Sequence, residues 1–149
     1  MKNKKGFTLV ELLAVITVLG ILTMIAVPNV LSTINNKKKN AFLMDAKRMV
    51  AKASELIAAN KNDRNTAATA GGITYKYEKL NGKGEFTTDA DSGNYVQNNT
   101  YVTVKIIDNT YKYCIRVEGS KRKIEEVNNG KVSCVDSTKL TGIEVVKDK

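Results

Sequence analysis

The chain changes its hydrophobic pattern twice. From Phe7 to Asn36 every residue but one is apolar or uncharged. The exception is Glu11, and the 25 residues from Leu12 to Asn36 carry no charge. As a helix those residues span roughly 37 Å at 1.5 Å each. A bilayer core needs about 20, so the segment is long enough to cross a membrane. From residue 37 apolar positions recur at spacings of three and four: Phe42, Ala46, Met49, Val50, Ala53, Leu56 and Ile57. Lys47, Arg48, Lys52 and Glu55 fall mostly between them, as on a helix with one packed face. The two stretches predict a single helix from Phe7 to about Asn60. It is apolar all round over 7–31 and amphipathic over 32–60.

Residues 61–72 belong to a run of Asn, Thr, Ala and Gly without large apolar side chains, and this predicts a loop. Beyond it the period becomes two. ITYKY (73–77), YVTVKII (101–107) and YKYCIRVE (111–118) are β-branched and aromatic. In the last of these, Tyr111, Tyr113, Ile115 and Val117 share one face. Lys112, Cys114, Arg116 and Glu118 share the other. DNT (108–110) predicts a tight hairpin. KIEEV (123–127), KVSCV (131–135) and IEVVK (143–147) are shorter strand candidates, with NNG (128–130) as a turn. An antiparallel sheet over 73–149, packed on the amphipathic half-helix, buries both apolar faces. The expected fold class is α+β.

The start of the chain changes the meaning of the apolar run. Lys2, Lys4 and Lys5 precede Gly6, and Glu11 lies four residues past Phe7. The lysines orient the segment with its N-terminus in the cytoplasm, although Lys37, Lys38 and Lys39 beyond the span weaken that asymmetry. A secretory signal peptide has a similar basic start. Here no small-x-small cleavage site follows the apolar run, which reads MIAVPNVLS, and a carboxylate interrupts its beginning. A lipoprotein signal is excluded, because the first cysteine is Cys114.

The stretch from Lys4 to Leu12, KKGFTLVEL, resembles the processing site of type IV prepilins and the related pseudopilins. The resemblance covers about thirty residues. It implies that residues 1–6 are a leader, removed by a prepilin peptidase between Gly6 and Phe7, and that Phe7 is then N-methylated. It implies a role for Glu11 in subunit assembly, meeting the charged N-terminal amine of a neighbouring subunit. A lone carboxylate in a bilayer helix is expensive, and an opposite charge within reach offsets much of that and fixes axial register. The alternative is local: Glu11 favours the dipole of its own helix start and pairs with its own Phe7 amine. Gly20 and Pro28 match helix-break positions of the family, where the segment between them loosens in the filament. The alternative is a fixed kink, with the Thr17 and Thr23 hydroxyls serving freed carbonyls. Pilins often carry a disulfide near the C-terminus. Cys114 and Cys134 would close a loop worth roughly 3 kcal/mol in the chain-entropy model, the alternative being two free thiols.

The family reading makes the chain a subunit of a helical homo-oligomer. It is inserted in the cytoplasmic membrane as a precursor and then built into a cell-surface pilus by assembly machinery with a cytoplasmic ATPase. The pilus would serve adhesion, motility or DNA uptake. One alternative is a pseudopilin of a secretion or competence system. A second, of a different class, is a single-pass membrane protein that never polymerises. The 149 residues carry a formal charge of +9. That balance suits DNA or an anionic cell surface, but the lysines are scattered and also suit an ordinary hydrated surface. The absence of His removes the commonest general base and metal ligand. No catalytic constellation, P-loop or CxxC is present, so no enzyme activity and no cofactor are expected. TTDADSGNY (87–95), with Asp89 and Asp91, faintly resembles a calcium loop. It lacks a third acidic position and a distal glutamate, and a polar turn is the ordinary reading.

Overall fold

A computed structural model describes residues 6–125, 127, 128, 131, 132, 135 and 136. The element order is α1 (Leu9–Ala59), α2 (Lys61–Ala67), β1 (Ile73–Lys76), α3 (Tyr77–Leu80), a 3₁₀ turn (Gln97–Asn99), β2 (Tyr101–Ile107), β3 (Thr110–Glu118), β4 (Lys123–Glu125), β5 (Val127–Asn128), β6 (Lys131–Val132) and β7 (Val135–Asp136). One long helix followed by an antiparallel sheet is the α+β class expected. The chain divides between Lys37 and Lys38 into two compact units.

In the first unit α1 is exposed on every side, and Leu12, Ile16, Leu19, Leu22, Ile25 and Leu31 all face outward. This part of the helix is long and apolar enough to cross a membrane. Helical structure runs on through Pro28. Proline donates no backbone hydrogen bond and so leaves the Met24 carbonyl without its usual partner. The Thr17 and Thr23 hydroxyls do not serve that carbonyl. They bond Ala14 O and Leu19 O, at 2.8 and 2.7 Å.

In the second unit the amphipathic stripe of α1 does what its period implies. Phe42, Ala46, Met49, Val50, Ala53 and Ile57 are buried, and Leu56 is half-buried. They share one core with Tyr75, Val102, Val104, Tyr113, Ile115, Val117 and Ile124 of the sheet. The strands run in the order β1-β2-β3-β4, all antiparallel, and β7 also pairs with β3. β2 and β3 are joined by a two-residue turn in which Asp108 and Asn109 both have positive φ, 50° and 57°. That is the mirror-image turn whose twist suits a hairpin, as DNT predicts. β5 and β6 form a separate pair. The strand expected at 143–147 lies outside the described residues.

Two expectations need correction. Most of 61–72 is not loop, because Lys61–Ala67 forms α2. Asn60 ends α1 and caps α2, its side chain accepting the Asn62 N–H at 3.0 Å. Arg64 reaches back to the Ile57 and Ala58 carbonyls left open at the end of α1. The first strand stops at Lys76, and Tyr77 turns into α3. Its ring enters the core beside Tyr95, at 5.9 Å between centroids, and its hydroxyl bonds the Phe86 carbonyl. On β3 the face shared by Lys112, Cys114, Arg116 and Glu118 is partly covered. Cys114 and Glu118 are buried. Glu118 is covered by the chain at 96–100: it accepts from Asn99 Nδ2 at 2.8 Å, and its carbonyl takes the Val96 N–H.

Candidate functional site at the N-terminal end of helix α1

Gly6, Phe7 and Thr8 precede the helix, are not helical, and are exposed. The Phe7 side chain is 92% exposed. Thr8 is what stops the helix from extending toward the glycine. Its hydroxyl accepts the Glu11 N–H at 3.2 Å, and its carbonyl begins the helical ladder by accepting from Leu12 at 3.2 Å. Glu11 reciprocates, with Oε2 accepting the Thr8 N–H at 2.8 Å and the Thr8 hydroxyl at 3.0 Å. This is a capping box, which needs Ser or Thr at the cap and Glu three residues on. The signal is present in the sequence as Thr-x-x-Glu directly before an apolar run, whereas the local alternative to the intersubunit pairing considered only the helix dipole and the Phe7 amine. The carboxylate is thereby turned back toward the start of the chain. Glu11 shares an open, almost wholly apolar surface with Phe7, Leu12, Ala14 and Val15.

Gly6 and Gly20 have nothing within 4 Å of where a Cβ would stand. The fold of the single chain therefore demands glycine at neither position. Gly20 sits inside α1, where it costs the helix about 1 kcal/mol relative to alanine.

The acidic turn at 89–93 is closed rather than open to a cation. Asp89 Oδ1 accepts the N–H groups of Asp91 and Gly93, both at 2.9 Å. Its Oδ2 accepts the Ser120 N–H and the Ser120 hydroxyl. Asp91 is held by Arg122, with Nε to Oδ2 at 2.6 Å, and by Lys38 at 3.4 Å. Gly119 allows this close packing, since a Cβ there would lie 2.6 Å from Asp89 Oδ2 and 2.8 Å from the Phe42 ring. The Asp89–Gly93 segment is the polar turn that the missing calcium ligands imply, joined to the 119–122 loop and to α1. Cys114 is on β3. Its expected partner Cys134 lies outside the described residues.

No curated protein and no solved structure matches the chain. Residues 1–27 match the family model of the prokaryotic N-terminal methylation motif. That match covers Gly6, Phe7, the Thr8–Glu11 cap and the exposed apolar helix behind them, and it supports a precursor of the type IV pilin or pseudopilin kind.

Proposed function

We propose that the chain is a structural subunit of a type IV pilus, cut after Gly6, N-methylated on Phe7 and polymerised through the apolar part of α1. The observation that carries this reading is the start of the chain. A non-helical, exposed Gly6-Phe7 bond stands immediately before a capped helix whose large apolar side chains from Leu9 to Ile34 are all uncovered. In a membrane those side chains meet lipid. In a filament they meet copies of themselves, and Glu11 meets the amine created at Phe7 of a neighbour. Gly20 and Pro28 fit the same reading, because repacking of the segment between them on assembly would offset their cost to a single helix. The prepilin peptidase, the cytoplasmic ATPase and the membrane are the partners this requires. The finished filament lies at the cell surface, with the β-domain as its shell.

Two measurements test it. Mass spectrometry of protein from native membranes should show a chain beginning at Phe7 and heavier by one methyl group. Glu11→Ala should leave the precursor inserted and abolish filaments. Residues 1–6 retained, with no filaments from the unaltered chain, would establish the non-polymerising membrane protein instead, and normal filaments from Glu11→Ala would overturn the Glu11 pairing. A pseudopilin is the nearest competing reading. It is separated by counting long surface filaments on cells with and without the gene.

A further inference from the structure

The capping box does more than start a helix. It uses one oxygen of Glu11, Oε2, for both donors from Thr8. Among the described residues, Oε1 accepts no hydrogen bond from the chain. From this geometry we infer that Thr8 is a positioning residue for assembly: its hydroxyl and N–H lock the Glu11 carboxylate toward the chain start with one oxygen presented to the incoming amine of a second copy. The inference rests on the proposed pairing of Glu11 with that amine and adds the group that prepares it.

Two physical effects make Thr8 matter. A free glutamate on an exposed helix samples several rotamers, and ordering it on contact weakens association. Here the single chain already holds the carboxylate in one place, because two hydrogen bonds reach it and a third ties the hydroxyl back to the Glu11 N–H. The second effect is desolvation. When Phe7, Leu12, Ala14 and Val15 are covered by neighbours, the carboxylate loses water. A buried ion pair is favourable only if its remaining lone pairs are satisfied. Thr8 satisfies those on Oε2 without help from the partner.

The test compares Thr8→Ser, Thr8→Val and Glu11→Ala in the full-length precursor in its native host. Filament yield is measured by shearing, and processing by intact mass. Thr8→Ser keeps the hydroxyl and should assemble like the parent chain. Thr8→Val has the same shape without the hydroxyl. It should be inserted and cleaved normally, and its filament yield should fall by roughly tenfold, the scale of a lost cap. Normal filaments from Thr8→Val while Glu11→Ala gives none would overturn the role of Thr8 and leave the Glu11 pairing standing. Normal filaments from both would overturn the pairing itself. Uncleaved Thr8→Val, or a Thr8→Ser that fails alongside it, would also reject the inference, because Thr8 would then act through processing or local shape rather than through its hydroxyl.

Discussion

Asp91 shows how single residues hold the β-domain together. Its side chain and that of Arg122 are almost fully buried, 4% and 6% exposed. Removing one partner from such a pair leaves the other charge buried with less to balance it, and for Asp91 only the half-exposed Lys38 would remain among the partners described above. Arg122→Ala should therefore lower the unfolding free energy by about 3 kcal/mol in urea titrations, and the loss should be smaller when Asp91→Ala accompanies it. Burial pushes the Asp89 and Asp91 carboxyls up. It is outweighed at Asp89 by the Ser120 hydroxyl and by the Ser120, Gly93 and Asp91 N–H groups, and at Asp91 by Arg122 and then Lys38, so both end below the ordinary range. A carboxyl depressed in the folded state contributes fully above its unfolded pKa, and that contribution is lost as pH falls through the folded value. Thermal stability should therefore hold from neutrality down to about pH 4 and drop below it. In Asp91→Asn the acid drop should be shallower. Tyr95 moves the opposite way: burial, then the hydrogen bond to Asp45 at 2.7 Å, raise its hydroxyl well above the ordinary range. Absorbance titration at high pH should show tyrosines that ionise only as the domain unfolds.

At the scale of elements, turns and caps decide where the chain changes direction. Asp108 and Asn109 both adopt the left-handed conformation, which glycine tolerates best. Asn109→Gly should stabilise the hairpin by a few tenths of a kcal/mol to about 1. Gly72 allows no such exchange. Its φ is +68°, and a Cβ would stand 2.6 Å from the Val104 carbonyl. Gly72→Ala should cost more than about 1 kcal/mol by calorimetry. The same elements show what the sequence made legible. α1, β2 and β3 have long, clean periods, and the DNT turn carries its own chemistry, so they were readable. α2 was not, because residues 61–67 offer only Ala67 to the core and its cause is the Asn60 cap rather than a hydrophobic stripe. The Asp91–Arg122 pair was invisible for another reason: its members are 31 positions apart, and no local rule joins them. At the candidate site Gly6, Phe7 and Glu11 were marked by spacing, and the Thr8 partnership was spelled out but passed over.

For the whole molecule, the boundary between Lys37 and Lys38 matters most. Among the described residues, every buried core side chain lies at Phe42 or beyond. A fragment beginning at Lys38 should therefore be soluble without detergent and melt in one cooperative transition, whereas the full chain needs detergent or lipid. Scanning calorimetry and light scattering on the two would check this. A fragment that aggregates or melts without cooperativity would show that the apolar segment contributes to folding after all. Because the described core of the domain begins at Phe42, mutation can act on the two parts under different rules. Residues from Phe42 on answer to their own packing and to whatever the surface meets, so they can drift, acquire loops or change charge while the domain stays folded. On the proposed reading, residues before Lys38 answer to lipid and then to copies of themselves, so a change there is tested by every neighbour at once. Variation among such chains should accordingly concentrate in the domain, and a foreign domain joined near Lys38 should inherit the insertion behaviour of this helix.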